Sequence, residues 1–139
     1  MSEFILNKNG GKYDDLSKFA KAYIEAMFFT NCDTGDENEN KANEPGTERL
    51  TRGAIAAIAL DCGDFLDDNA ATIAECVAAG KTLDSIAHDF WFTRQGHGCG
   101  FWEGKARGYP GDTWQKLDAY SKAQGEVYPY FNRGWIHYR

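Results

Sequence analysis

The sequence predicts an α+β domain: N-terminal helices packed on a small antiparallel sheet made of two hairpins separated by a helix. Three observations lead there. Apolar residues recur at three- and four-residue steps through the front of the chain. After His88, runs of aromatic and β-branched residues flank glycine turns. Between those runs lies a helix-length segment bounded by Asp112 and Gly125. With 139 residues, 42% of them hydrophobic, residues 1–139 read as a single domain with its own core.

The elements follow in order. Residues 1–12 read as an extended arm ending in Gly10-Gly11. Leu16, Phe19, Ala20, Tyr23, Ile24, Met27 and Phe28 then predict a helix over 13–29, with Asp14 and Asp15 suited to its first turn. Residues 32–47 contain no large apolar residue and predict an exposed acidic loop closed by Pro45-Gly46. Thr47 can cap a second helix carrying Leu50, Ala54, Ile58 and Phe65 on one side. Asn69 reads as the cap of a third helix over 70–79, stopped by Gly80, and Thr82 to Ala87 as a further helical turn. Asp89 to Arg94 and Cys99 to Glu103 read as paired strands around the Gln95-Gly96-His97-Gly98 turn. A helix from Asp112 to about Gln124 follows. The second hairpin joins Glu126–Phe131 to Trp135–Tyr138 through Asn132-Arg133-Gly134, and Pro129 marks its first strand as an edge.

Charge narrows the function classes. The net charge of −6 argues against non-specific nucleic-acid binding, which needs a basic footprint. No run approaches the length of a membrane helix, so no membrane partner is expected. Charge is also segregated. Residues 32–48 hold six acids against Lys41, whereas residues 91–139 are net basic and hold all four tryptophans. The cysteines at 32, 62, 76 and 99 show no C-x2-C spacing, and the first residues lack a signal-peptide pattern. Reduced thiols in a cytoplasm are the expectation.

One stretch is distinctive: His88-Asp89-Phe90-Trp91-Phe92-Thr93-Arg94-Gln95-Gly96-His97-Gly98-Cys99-Gly100-Phe101-Trp102-Glu103. It resembles a run found in small uncharacterised phage and prophage proteins, of the form HDFWLTRNGHGAGFWDR. Asp61-Cys62-Gly63-Asp64-Phe65 and Gly125-Glu126-Val127-Tyr128 are similar to that group too, so the resemblance covers roughly residues 50–131. The chain departs from it at Gln95, Cys99 and Glu103, and its end differs. The resemblance implies an accessory protein of a phage, acting in the cytoplasm of a bacterial host. It implies no catalytic residue.

The turn region supplies the main site candidates. Arg94 can fork onto a phosphate or carboxylate, Trp91 and Trp102 can stack on a base, and Gln95 and His97 add polar contacts. The glycines between them could open backbone N–H groups to an anion. The bland alternative is a tight turn with aromatics packing a sheet. A Cys99–His97 nucleophile oriented by Asp89 is a weaker reading, since no oxyanion hole is evident. Asp61, Asp64 and Asp68 share a helical face that could hold Mg²⁺, but carboxylates so placed more often face solvent, or Asp61 pairs with an arginine. No metal or cofactor is expected. In the acidic loop, Asp33, Asp36, Glu37 and Glu39 could imitate a phosphate backbone and occupy a basic groove of a target. His137 and Tyr138 read as structural.

The function expected is non-enzymatic: an inhibitor that binds a host defence protein, of the anti-CRISPR or anti-restriction kind. The alternative is a small-molecule binder that sequesters a nucleotide signal. A hydrolase using His97 is a third reading. A homodimer is also expected to be accessible, because an exposed aromatic face or sheet edge invites pairing.

Overall fold

The computed structural model describes residues 13–30 and 49–138. A 3-10 turn at Tyr13–Asp15 leads into α1 (Lys18–Thr30). Helices α2 (Arg52–Asp68), α3 (Ala70–Ala78) and α4 (Leu83–Arg94) follow. A 3-10 segment spans Phe101–Arg107, and α5 (Thr113–Gln124) precedes two strands, β1 (Tyr130–Asn132) and β2 (Trp135–His137). The arm at 1–12, the acidic loop at 32–47 and the Thr47 cap lie outside the described residues.

The fold class is therefore corrected. The described chain is predominantly helical, and strand is confined to one short antiparallel ribbon with Phe131 opposite Ile136. The first expected hairpin does not exist. Its outgoing strand is the second half of α4, and its return strand is the 3-10 segment. The physical reason lies in burial. Helix α4 buries Ile86, Ala87, Phe90 and Trp91 on one side, but Asp89, Thr93 and Arg94 are buried on that same side while Phe92 lies on the other. Polar residues on the buried face blur the 3.6-residue contrast, and strand propensity then misleads.

Capping explains where the helices stop and start. Ser17 Oγ accepts from Ala20 N, and Thr51 Oγ1 from Ala54 N at 2.9 Å, so Thr51 caps α2. Thr82 Oγ1 accepts from Ser85 N and starts α4. Asn69 does not cap α3 through its side chain; its Nδ2 donates back to the Phe65 carbonyl at 2.9 Å. Asp112 likewise makes no side-chain cap for α5. Helices α3 and α4 end alike. Gly80 N donates to Val77 O and Lys81 N to Cys76 O; Gly96 N donates to Thr93 O and His97 N to Phe92 O. Both are Schellman closures, which need a left-handed residue, and Gly80 and Gly96 supply it with φ of 107° and 70°.

One hydrophobic cluster joins all the named helices and β2. Helix α4 is its axis and packs chiefly on α1. Phe65 of α2 lies at the centre of an aromatic group. Its ring stacks on Phe90 at 4.2 Å and on Phe19 at 5.5 Å, and meets Tyr120 edge-on. Ala119 of α5 is exposed. The ribbon is tied to the front of α2: Leu50 bridges to Ile136, and Thr51 N donates to Ile136 O at 3.0 Å.

Candidate functional site

Most polar residues of the distinctive run turn inward. Arg94 ends α4 and is 8% exposed. Its Nη1 donates to Asp61 Oδ2 at 2.8 Å, to Tyr23 Oη at 3.0 Å and to Tyr138 Oη at 3.1 Å. Its Nε donates to Gly125 O at 2.7 Å, and Nη2 reaches Gln124 O. Tyr138 donates to Asp61 at 2.7 Å and lies within hydrogen-bond distance of Tyr23. Gln95 holds Val127 from both sides, accepting from its N–H at 2.9 Å and donating to its carbonyl at 2.8 Å. Arg94 and Gln95 therefore fasten the segment after α5 to the core. A guanidinium so engaged has no fork left for a phosphate.

A second centre involves Asp89, which is fully buried. Arg107 Nη2 donates to its Oδ1 at 2.5 Å and Tyr109 Oη to its Oδ2 at 2.6 Å. Arg107 also pairs with Glu103 at 3.1 Å. Asp89 thus secures the 3-10 segment to α4 and is not placed to orient a catalytic histidine.

The glycines have packing roles. Gly96 N–H belongs to the α4 closure and Gly100 N–H to Glu103 Oε1 at 3.3 Å, so two of the three alternating glycines do not offer their N–H to an anion. A Cβ at Gly100 would sit 2.3 Å from Thr93 Oγ1, which accepts from Phe101 N. A Cβ at Gly104 would fall 2.3 Å from the Trp114 ring.

The expected site residues are therefore scattered. Trp91 is fully buried and meets Tyr23 edge-on at 5.4 Å, so it cannot stack on a ligand. His97 is half-buried against the edge of Phe92, whereas Trp102 is 46% exposed. Cys99 is half-buried, and burial pushes its thiol up despite nearby Arg107, the wrong direction for a nucleophile. Asp33, Asp36, Glu37 and Glu39 lie outside the described residues. Asp61 faces Arg94 and Asp68 accepts from Tyr120, so the acidic face of α2 is partly engaged. No group of three potential metal ligands occurs among the described residues.

Two surface features went unread in the sequence. One is an open groove of about 370 Å³ along α1, lined by Tyr13, Lys18, Lys21, Ile24, Glu25 and Phe28. It mixes charges, and Lys21 already lies over the Tyr13 ring. The other is the outer face of the ribbon, where Tyr128, Tyr130 and Trp135 are exposed. Alternation along Tyr128 to Trp135 was the available signal for it.

No helix among the described residues is long and apolar enough to cross a membrane. Comparison with known protein families, curated proteins and solved structures finds no match for this chain.

Proposed function

We propose that this protein is a non-enzymatic, phage-type inhibitor that binds a host defence protein, of the anti-CRISPR or anti-restriction kind, in the bacterial cytoplasm. One observation supports the non-enzymatic part: among the described residues, four charged side chains the site would need are engaged by the chain itself. Arg94, Asp61, Asp89 and Arg107 serve ion pairs inside the molecule, and the thiol of Cys99 is pushed up. Function is then left to surface contact. The resemblance of the run from His88 to Glu103 to phage proteins supports the setting.

The nucleotide-binding reading loses three of its expected contacts, because Trp91, Arg94 and Gln95 face inward. Native mass spectrometry of the tagged protein in host lysate tests the choice. The expected result is a stoichiometric complex with one host protein. An added mass of nucleotide size, with no protein retained, would overturn it in favour of the sequestering role. The same spectrum reads any homodimer directly.

A further inference from the structure

The terminal ribbon has two unlike faces. Inward lies Ile136, fully buried and bridged to Leu50. On the outer face Tyr130 stands opposite His137, and Asn132 opposite Trp135. Tyr128, in step with them along the chain, is 62% exposed, and Trp135 is 46% exposed. These rings are arranged. Tyr130 stacks on His137 at 4.8 Å and 13°, and the Arg49 guanidinium sits 5.9 Å over the Trp135 ring. Arg49 Nη1 also donates to Gly134 O at 3.4 Å. Arg133 occupies the turn at a φ of 54° beside Gly134 at 85°, the two positive values of a type I′ hairpin. Among the described residues, Arg49, Arg52 and Arg133 are in no ion pair.

We infer that this outer face is a preformed docking surface for a protein partner that presents carboxylates beside apolar groups. The inference rests on the binding role proposed above and names the surface and the kind of partner.

Three observations carry it. Its side chains are tryptophan, tyrosine and arginine, the types that dominate binding energy at protein interfaces. Its backbone is held from behind by Ile136, by Thr51 and by Tyr138 in the Arg94 centre, so little ordering is lost on docking. Arg49 and Arg133 on it outnumber the one carboxylate, Glu126, which accepts from Tyr128, so its local charge is positive on a chain of net −6 and selects carboxylates opposite it. Exposed rings with arginines also suit single-stranded nucleic acid. The net −6 opposes that, since a polyanion meets the whole field of the chain while a few carboxylates meet the local one.

The test is an NMR titration of the full chain with three probes: the random copolymer of glutamate and tyrosine, the matching copolymer of lysine and tyrosine, and oligothymidylate. The glutamate copolymer is expected to shift the Trp135 indole N–H and the Gly134 amide. Trp135→Ala and Arg49→Glu are each expected to weaken it by about tenfold or more. No shift at these positions, or preference for the lysine copolymer or for oligothymidylate, overturns the inference. The lysate experiment then separates the two readings. If wild type and Trp135→Ala retain the same host protein equally, this face is wrong and the binding role stands. If the glutamate copolymer docks here but no host protein is retained, the face stands and the inhibitor role fails.

Discussion

Helix α4 serves two acid–guanidinium centres, and they are built in opposite ways. At its middle the helix supplies the acid: Asp89, fully buried, is met by Arg107, whose side chain is 31% exposed. At its end the helix supplies the base: Arg94 is buried, and Asp61 is 26% exposed. The first centre holds one nearby segment, with Arg107 and Tyr109 on the same turn of chain. The second gathers α1, α2, the end of α5 and Tyr138. The difference teaches which group has no alternative. A partly exposed Asp61 can return to water when its arginine is lost, whereas the partners of Asp89 close over a carboxylate that water does not reach.

The largest effect should come from stranding the buried acid. Arg107→Met is expected to cost about 3–5 kcal/mol in urea denaturation, because it leaves the fully buried Asp89 carboxylate without its cation. Arg94→Met should cost less, about 2–3 kcal/mol, since Asp61 rehydrates while the tyrosines and the Gly125 carbonyl lose a donor. If Arg94→Met proves the costlier, exposure of the partner is not what separates the centres.

Alkali sharpens the contrast. Burial raises the phenols of Tyr23, Tyr109 and Tyr138 above their ordinary value of 10.0, with Asp89 adding to the effect at Tyr109. Above pH 10 the unfolded chain releases these protons and the folded chain keeps them. Stability is therefore complete below that pH and falls above it, by about 1.4 kcal/mol per pH unit for each tyrosine. Tyr109→Phe should remove one such contribution and Tyr23→Phe another. Denaturation curves across alkaline pH would show whether the slopes drop equally.

Smaller effects complete the series. Gln95→Ala should cost about 1 kcal/mol and appear mainly as faster exchange of the Val127 amide. Trp135→Ala should change stability by no more than about 0.5 kcal/mol, as a surface substitution.

How much of this was legible depended on where each signal lay. Helix α3 was read nearly to its ends, and α1 nearly to its last residue but from Tyr13 instead of Lys18, because apolar residues make up the buried face of each. Helix α4 was read only at its start, where Thr82 lies, because Asp89, Thr93 and Arg94 interrupt the apolar pattern of its buried face. Gly96 was legible as a turn but not as the end of a helix; that depends on the bond from His97 N–H to Phe92 O. Arg94 was legible as important and misread as a ligand contact, since its partners come from segments distant in sequence. A pairing of Asp61 with an arginine was anticipated without saying which one. Tyr138 was read as structural, but nothing in its spacing announced the Asp61 carboxylate.

The Arg94 centre also has a consequence for the order of events during synthesis. Its guanidinium bonds reach back 71 residues to Tyr23 and forward 44 to Tyr138. Local helix contacts form as the chain emerges, but such long closures wait for both ends. Until Tyr138 has left the ribosome, Arg94 and Asp61 lack one of their hydroxyl partners, and until Gly125 has done so the Nε hydrogen bond cannot form. The helical front of the protein is thus assembled around an unfinished polar centre, which the later-made ribbon completes as it takes its place against Leu50.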